Sequence, residues 1–215
     1  MKVLVTAGPT REAIDPVRFV SNRSSGKMGY AVAAAAQRAG HEVCLVSGPV
    51  ALEPPRGVDV VRATTADDML AAVKRRVRGC DVLVMAAAVA DWRPKRPSPR
   101  KLKKSAGPPR IEWEATPDIL KTLAPLKKKT QVFCGFAAET HGLAREARRK
   151  LREKNLDAIA ANDVSKNDRG FEADRNALTI FLADGSAVRV ALATKNSCAA
   201  RLLDVLTEIF ARKKK

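Results

Sequence analysis

The alternation of short apolar runs with helical segments restricts the fold of this sequence more than any other feature. Runs of β-branched or apolar residues, each closed by Gly, Pro, Asp or Thr, predict strands at 3–6, 42–46, 58–62, 82–86, 132–135 and 158–161. Helices are predicted between them at 28–39, 66–77, 117–126 and 143–154. The pattern predicts an α/β fold with a Rossmann-like, mainly parallel sheet and helices on both faces.

Capping signals predict where several helices begin. Thr65 is a candidate N-cap for the helix at 66–77, and Thr116 precedes a helix with Pro117 at its first position. Ser24 or Ser25 is expected to cap the helix at 28–39. Each of these side chains would accept a hydrogen bond from an N–H group in the first helical turn.

The end of the chain departs from the alternation. Two apolar runs at 178–182 and 188–192 flank Asp184-Gly185 and predict a C-terminal β-hairpin, followed by an amphipathic helix at 198–210. The sequence has 215 residues and no internal repeat. We therefore expect a single domain spanning residues 1–215.

The chain is strongly basic, with a formal net charge of +17, which indicates an anionic partner. Residues 93–104 contain seven basic residues and no acid. The segment 93–110 is too long and polar for an ordinary connection, so it is predicted to be a flexible basic lid or a disordered insert. The shorter clusters at 127–129 and 212–215 are predicted to be solvated surface.

The four cysteines, Cys44, Cys80, Cys134 and Cys198, are scattered without the spacing of a metal site or a disulfide framework. The chain opens on a predicted strand, and no apolar run reaches the ~20 residues of a membrane helix. These features favour a reducing compartment, so we expect a cytoplasmic protein without a membrane partner.

Ligands of open α/β sheets bind beyond the carboxyl ends of the strands, and small residues recur there in this sequence. The segment 22–29, Asn-Arg-Ser-Ser-Gly-Lys-Met-Gly, leads into the first predicted helix. Gly26 and Gly29 lack side chains that would block an anion, and the N–H groups of the helix N-terminus would face it. The sequence therefore predicts a phosphate site here.

Three other readings fit less well. A Walker A loop would need Gly where Ser21 stands and Ser or Thr where Met28 stands. An NAD(P)-dependent oxidoreductase would need G-x-G-x-x-G in the first turn, which has only Gly8. A nucleic-acid-binding module would interleave its basic residues with aromatic side chains, which are scarce here.

The two histidines, His41 and His141, suggest no catalytic triad. This favours phosphate chemistry driven by positioning and charge over covalent catalysis.

Seven motifs, in order, resemble those of a known family: TAGPTREAIDPVRFVSNRSSGKMG, AAAVADWRP, KLKK, TPDIL, GFAAET, KLREKNLD and ANDV. The family is the phosphopantothenate–cysteine ligases, the synthetase half of the bacterial coenzyme A biosynthesis flavoprotein. The flavin-dependent decarboxylase half does not occur in this sequence. The resemblance therefore implies no flavin in this chain and a separate decarboxylase protein as a potential partner.

The resemblance also implies the reaction. The carboxylate of 4'-phosphopantothenate would attack the α-phosphate of a nucleotide, release pyrophosphate and form an acyl-nucleotidyl intermediate. The amine of cysteine would then displace the nucleoside monophosphate, with Mg²⁺ assisting. The motif AVADWRP together with KLKK is typical of family members that use CTP rather than ATP.

Site residues follow from the same resemblance. The implied nucleotide-binding residues are Gly8, Ser24, Gly26, Gly29, Met85, Ala86, Ala87, Asp91, Lys101, Pro117, Asp118, Ile119, Leu120, Phe136, Lys150 and Lys154. The implied substrate-binding residues are Arg18, Asn22, Ala87, Ala88 and Asp91. Lys101 would stabilise charge as pyrophosphate leaves, and Asn22 would hold the acyl intermediate. Arg18 would reach the substrate phosphate of a neighbouring subunit, which implies a homodimer. The resemblance assigns no residue as a metal ligand.

Overall fold

The structure is a computed structural model that describes residues 1–165, 170 and 172–214. Its strands are β1 (Lys2–Ala7), β2 (Arg11–Ala13), β3 (Phe19–Ser21), β4 (Glu42–Ser47), β5 (Asp59–Arg62), β6 (Val82–Met85), β7 (Trp92–Pro94), β8 (Trp113–Ala115), β9 (Val132–Glu139), β10 (Ala158–Asp163), β11 (Arg175–Leu182) and β12 (Ala187–Thr194). Its α-helices are α1 (Lys27–Arg38), α2 (Ala66–Arg76), α3 (Ile119–Leu123), α4 (Leu143–Glu153) and α5 (Lys195–Lys213). Short 3-10 turns lie at Val77–Gly79, Lys104–Ala106 and Ala124–Leu126.

Eight strands form the central sheet in the order β12-β11-β10-β9-β6-β1-β4-β5. The strands from β5 to β10 in this order are parallel, and β11 and β12 are added as an antiparallel hairpin. The chain leaves β1 towards β4 on one side and later returns to β6 on the other. The strand order therefore reverses at β1 and β6, which is where such sheets open a ligand crevice.

Two hydrophobic cores cover the two faces of the sheet. Val3 and Val5 of β1 pack in the core that contains α1 and α5, whereas Leu4 belongs to the core that contains α2, α3 and α4. This alternation arises because successive strand side chains point to opposite faces. The predicted α/β class, the helices on both faces and the C-terminal hairpin and helix are all confirmed.

The predicted cap of α2 is confirmed, but that of α1 is wrong. Thr65 Oγ1 accepts from the N–H of Asp68 at 3.1 Å, and the Asp68 carboxylate accepts from the N–H of Thr65 at 2.9 Å. In contrast, α1 begins after Gly26, which has a left-handed φ of 80° and, among the described residues, no capping side chain. Ser24 Oγ instead accepts from the N–H of Gly26 itself at 3.3 Å, one residue before the helix.

Two further boundaries differ from the prediction. Helix α3 begins at Ile119 rather than at Pro117, because Asp118 is its N-cap and accepts from the N–H of Lys121 at 3.1 Å. Strand β9 continues beyond the predicted 132–135 to Glu139, because its last residues pair with the full length of β10. The segment 135–140 is therefore mostly strand rather than a loop.

The predicted solvated clusters at 127–129 and 212–215 contain two lysines that are not simply solvated. Lys127 Nζ lies 2.9 Å from one Asp157 oxygen, and Lys213 Nζ lies 2.6 Å from the other. Only 9% of the Asp157 side chain is exposed, and it also accepts from the N–H of Phe133 at 2.8 Å. A count of charge along the sequence could not detect this buried acid, which ties the C-terminal helix to β9.

Helix α1 lies very close to strand β1 at Gly29. A Cβ atom at this position would stand 2.5 Å from the Cβ of Ala7 and 2.8 Å from the carbonyl oxygen of Thr6. Since real Cβ atoms do not approach that closely, the backbone of α1 can lie against β1 only because residue 29 has no side chain.

We predict that Gly29→Ala lowers the free energy of unfolding by about 1–3 kcal/mol, because the added methyl group overpacks this contact. Gly79→Ala is the matched control, since a Cβ there would meet no atom within 4 Å. Chemical denaturation of both variants measures the effect. Equal stability of the two variants would contradict the role assigned to Gly29.

Candidate functional site

A cleft of about 390 Å³ lies beyond the carboxyl ends of β1, β6, β9 and β10. The cleft contains most of the residues that the sequence predicted, and three of the predicted residues lie outside its lining. The predicted residues that line it are Asn22, Ser24, Gly26, Gly29, Met85, Ala86, Ala87, Ala88, Asp91, Pro117, Asp118, Ile119, Leu120, Phe136, Lys150 and Lys154. Gly8, Arg18 and Lys101 are the predicted residues outside the lining.

The N-terminus of α1 forms the centre of the cleft. Its first-turn N–H groups, which have no acceptor within a helix, belong to Lys27, Met28 and Gly29. Gly8 stands directly behind this turn, since a Cβ on Gly26 would lie 3.4 Å from its Cα. The first turn contains no acid, so the helix end presents positive partial charge to the cleft.

Two buried threonines hold the loop that follows β6. Thr6 Oγ1 accepts from the N–H of Ala87 at 3.1 Å, and Thr10 Oγ1 accepts from the N–H of Ala90 at 3.0 Å. Both threonines are fully buried. Sequence reasoning assigned them no role, although they fix the backbone on which Ala87, Ala88 and Asp91 line the cleft.

Asn22 is fixed on the same loop. Its Nδ2 donates to the carbonyl oxygen of Ala88 at 3.0 Å. One hydrogen-bonding group of the amide therefore holds the side chain in place, and the amide has further donor and acceptor capacity for a ligand. Two of the five residues that the resemblance assigned to substrate binding, Asn22 and Ala88, are thus in direct contact.

Helix α4 supplies two cations to one end of the cleft. Lys150 Nζ lies 2.7 Å from Glu139 Oε1, and Lys154 Nζ lies 2.9 Å from Asp118 Oδ2. Because the two lysines are four residues apart, they lie on the same face of the helix, as predicted. The paired carboxylates orient both ammonium groups beside Phe136 and the start of α3.

Sequence reasoning missed the opposite end of the cleft. Lys27, Asn162, Asn176 and Lys195 line it as well. Lys195 was missed because the last helix was predicted to begin at residue 198, whereas α5 begins at Lys195 itself. The strand pattern of β12 ending at Thr194 was the signal that could have found it.

Lys195 is the most enclosed cation in this part of the cleft. Only 6% of its surface is exposed, and its Nζ donates to the carbonyl oxygen of Gly170 at 2.9 Å. Burial and, next in size, the nearby charge of Lys27 lower the pKa of Lys195 to about 8. Lys27 is held by Asp174, whose Oδ1 lies 2.5 Å from its Nζ.

A two-stranded ribbon joins the predicted lid at 93–110 to the rest of the protein. Strands β7 and β8 pair antiparallel, and the N–H of Lys95 donates to the carbonyl oxygen of Glu112 at 2.9 Å, just beyond the ribbon. The side chain of Arg93 binds Asp67 and Glu114, which fastens the ribbon to α2. Lys101 is exposed and lies in this segment, outside the lining of the cleft.

Asp15 links Arg18 to the same segment. Its side chain is fully buried, and it accepts from the N–H groups of Val17, Arg18 and Leu102 and from the guanidinium of Arg18 at 2.6 Å. The guanidinium of Arg18 also donates to the carbonyl oxygen of Leu102 at 2.9 Å. The Arg18 guanidinium therefore holds the pKa of Asp15 well below its usual range.

The part of the chain that the structure describes contains neither a cluster of metal ligands nor a membrane-spanning helix. Within residues 1–165, 170 and 172–214, His, Cys, Asp and Glu side chains form no group of three or more that could hold a metal ion. Over the same residues, no helix has the length and apolar character required to cross a membrane. The four cysteines are unpaired, and burial is the first cause that raises the pKa of each of these thiols.

The fold defines a doubly wound α/β protein with a cleft, lined by a helix N-terminus and several lysines, at the point where the strand order reverses. The chain belongs to the family of the DNA/pantothenate metabolism flavoprotein C-terminal domain, whose family model matches residues 1–210.

Named relatives agree with this family. The coenzyme A biosynthesis bifunctional protein CoaBC of Bacillus subtilis is 47% identical over 213 residues, which cover 99% of this chain and 52% of the relative. The crystal structure of a CoaBC C-terminal domain has a TM-score of 0.84 and 44% identity, and the match covers 98% of this chain and 96% of that one. The chain thus spans about half the length of the curated relatives it matches.

A more distant solved structure shares the fold. It is a Cab2 mutant in complex with phosphopantothenate-cysteine, and it has a TM-score of 0.79 at 16% identity. The match covers 100% of this chain and 89% of that chain. At this level of identity the likeness establishes a common architecture.

We predict that Asp15→Asn loosens the segment 93–110, because the neutral amide loses the charged bond to Arg18 and weakens the one to Leu102. Trypsin should cleave within 93–110 several-fold faster in this variant than in the unchanged protein. Asp204→Asn, an exposed carboxylate on α5, is the control and should leave the cleavage rate unchanged. Identical rates for Asp15→Asn and the control would show that Asp15 does not hold the segment.

Proposed function

We propose that this chain is a ligase that joins 4'-phosphopantothenate to cysteine with CTP as co-substrate. The observation that carries the proposal is the cleft itself, in which the motif residues of the ligase family converge around the N-terminus of α1. The names of the close relatives, which concern coenzyme A biosynthesis, support the same pathway. The choice of CTP rather than ATP rests on the family resemblance of the motifs AVADWRP at 88–94 and KLKK at 101–104.

The reaction needs two anions to meet in one cleft. The carboxylate oxygen of 4'-phosphopantothenate attacks the α-phosphorus of CTP, and the bond to the β-phosphate breaks with its electron pair on pyrophosphate. The amine of cysteine then attacks the acyl carbon of the acyl-cytidylate, and CMP leaves. The cations and helix N-terminus along the cleft reduce the repulsion between these anions and stabilise the charge that develops.

Asn22 and Lys101 have the roles closest to the chemistry in this proposal. The Asn22 amide, held by Ala88, offers neutral hydrogen bonds to the acyl intermediate without a charge that would compete for the nucleotide. Lys101 reaches the pyrophosphate when the segment 93–110 folds over the cleft. Exclusion of water then strengthens the attraction of Lys101 for phosphate and protects the mixed anhydride from hydrolysis.

Mg²⁺ is the metal we propose for this reaction. It is usually bound by one or two carboxylates together with substrate phosphates, and the carboxylates of Asp91 and Asp118 both line the cleft. These two residues would hold the ion, which supplies charge neutralisation on the phosphates. Asp118 is already paired with Lys154 at 2.9 Å, so an ion there would compete with that lysine.

We further propose a homodimer in which Arg18 serves the active site of the partner subunit. The exposed large apolar side chains of the described residues are Val17, Phe19, Trp92 and Trp113, and they lie on the two small ribbons β2–β3 and β7–β8. Strands β2 and β7 are in contact, so the two ribbons are neighbours, and Val17 and Phe19 flank Arg18 in the sequence. Exposed apolar regions of this kind are typical of subunit interfaces.

The chain would work in the cytoplasm, since buried unpaired cysteines are typical of a reducing compartment. The relatives are bifunctional, and this chain corresponds to about half of them. We therefore propose that a flavin-dependent decarboxylase supplies the other function, either as a separate partner protein or as a further part of the same polypeptide. No flavin is needed for the ligase step.

We predict that the protein, supplied with 4'-phosphopantothenate, cysteine, CTP and Mg²⁺, releases pyrophosphate and CMP in a one-to-one ratio with product. The measurement is a coupled pyrophosphate assay with parallel nucleotide analysis, repeated with ATP and without 4'-phosphopantothenate. Release of CDP and orthophosphate would mean that an acyl phosphate forms, and the proposed mechanism would then be wrong.

A matched pair of variants in the segment 93–110 tests the role of Lys101 in the same assay. Lys101→Ala should lower kcat on the order of 100-fold or more, because the lost charge acts mainly as pyrophosphate leaves. Arg100→Ala should be nearly silent, although it removes a charge from the adjacent residue. Equal losses in the two variants would mean that the segment acts only as diffuse positive charge.

We predict that Arg18→Ala and Asn22→Ala are each inactive as pure proteins and regain activity when the two chains are mixed. In a hybrid dimer, the intact Asn22 of one chain meets the intact Arg18 of the other, so one of the two sites is complete. Sedimentation of the unchanged protein measures the assembly directly. A fully active monomer, or no recovery in a mixture shown to contain hybrid dimers, would contradict the shared site.

A further inference from the structure

Ser21 ends strand β3 and directly precedes Asn22, one of the two residues proposed to act closest to the chemistry. Its hydroxyl donates to the carbonyl oxygen of Thr10 at 2.7 Å. Ser21 pairs across the ribbon with Arg11, the residue after Thr10, so this hydrogen bond lies at the base of the β2–β3 ribbon. It joins the place where the chain leaves the ribbon to the place where the chain enters it.

Thr10 is itself fixed to the loop that follows β6. It is fully buried, its N–H donates to the carbonyl oxygen of Ala88 at 3.2 Å, and its Oγ1 accepts from the N–H of Ala90 at 3.0 Å. The preceding residue, Pro9, forms a parallel bridge with Ala88 as well. The hydrogen bond from Ser21 therefore connects the end of β3 to a backbone that does not move independently of the loop.

The carbonyl oxygen of Ala88 accepts a second hydrogen bond, from Asn22 Nδ2 at 3.0 Å. The result is a closed ring of hydrogen bonds and one peptide link, and its members are Thr10, Ser21, Asn22 and Ala88. Because Asn22 is exposed, its orientation depends on these bonds rather than on close packing. One bond holds the amide of Asn22, and the bond made by Ser21 holds the backbone from which that amide extends.

The ribbon itself does not need the Ser21 hydroxyl in order to fold. Its two strands pair at three positions, and buried Asp15 accepts backbone N–H groups within the turn that joins them. Loss of one partly buried hydroxyl at the base should therefore leave the ribbon in place. The change that remains is a looser attachment of Asn22 to the loop after β6.

We propose that Ser21 is a positioning residue for the transfer of the acyl group to cysteine and that it acts through Asn22. The proposal rests on the proposed function, because the role of Asn22 belongs to that reaction. In this step the cysteine nitrogen bonds to the acyl carbon and loses a proton to solvent. The bond from that carbon to the phosphate oxygen breaks with its electron pair on CMP. Misplacement of a positioned group by about 1 Å can cost on the order of 100-fold in such a step.

The formation of the acyl-cytidylate should depend much less on Ser21. The nucleotide phosphates are expected at the N-terminus of α1, and the place of that helix is set by the contact of Gly29 with Ala7 and Thr6. None of these three residues belongs to the ring of hydrogen bonds around Asn22. A positioning role therefore predicts a loss in one half-reaction, whereas a purely structural role predicts similar losses in both.

A single-turnover quench experiment with labelled CTP, 4'-phosphopantothenate and Mg²⁺ separates the two half-reactions. Ser21→Ala should form the acyl-cytidylate at nearly the unchanged rate and pass it to cysteine on the order of 10-fold more slowly, as expected for a displaced group. Ser21→Thr keeps the hydroxyl at a strand position that suits a β-branched residue, so it should restore the transfer. Ser186→Ala, which removes a hydroxyl from the turn between β11 and β12, is the matched control and should transfer normally.

The side-chain amide of Asn22 gives a readout that needs no substrate. Its ¹H–¹⁵N resonances can be assigned from their absence in Asn22→Ala. In Ser21→Ala these resonances should shift and exchange faster with solvent, because the amide is held less firmly to the oxygen of Ala88. They should return towards their original positions in Ser21→Thr and stay unchanged in Ser186→Ala.

Three results would overturn the proposal. One is an unchanged rate of transfer in Ser21→Ala, and another is a loss of equal size in both half-reactions, which would make Ser21 only a structural residue of the ribbon. The third is an unchanged Asn22 resonance in Ser21→Ala. If the unchanged protein forms no acyl-cytidylate at all, the proposed function fails, and the amide resonances still decide whether Ser21 positions Asn22.

Discussion

The close contact between α1 and β1 is the constraint on which the site depends. Gly29 lets the helix backbone lie against Ala7 and Thr6, and Gly26 takes the left-handed turn that aims the helix at the edge of the sheet. The first-turn N–H groups of α1 therefore meet the loop after β6, which Thr6 and Thr10 hold in place. A bulkier residue at 29 would move the helix end away from that loop, so packing and anion binding share one cause.

Two buried carboxylates extend this constraint to the rest of the molecule. Asp157 forms ion pairs with Lys127 and Lys213 and accepts a hydrogen bond from the N–H of Phe133. It thereby joins the last helix to the middle of the sheet. Asp15 does the same for the small ribbon that carries Arg18 and for the segment that carries Lys101. Since a buried carboxylate is stable only when its hydrogen bonds are made, each acid specifies the position of the elements around it.

The alternation of strands and helices predicted the sheet, both covered faces and the edge at which the cleft lies, because periodicity and turn residues act locally. It assigned the wrong cap to α1, since a glycine in the left-handed conformation precedes the helix in place of a capping side chain. It missed Lys195 because the start of α5 depends on where β12 ends, and Thr6 and Thr10 because their partners are about 80 residues away. Roles for Lys101 and Arg18 came from family resemblance, and both residues lie outside the cleft.

The lysines of the cleft are oriented before any substrate arrives. Lys150 is held by Glu139, Lys154 by Asp118 and Lys27 by Asp174, all through direct ion pairs. A phosphate that enters the cleft has to exchange these carboxylates for its own oxygens, so the gain in affinity from each pair is small. The gain in rate is larger, because ammonium groups that are already in place need not reorganise as charge moves from the α-phosphate to the leaving group. Burial lowers the pKa of Lys195 to about 8, and an anion bound nearby would raise that pKa by favouring the charged ammonium form.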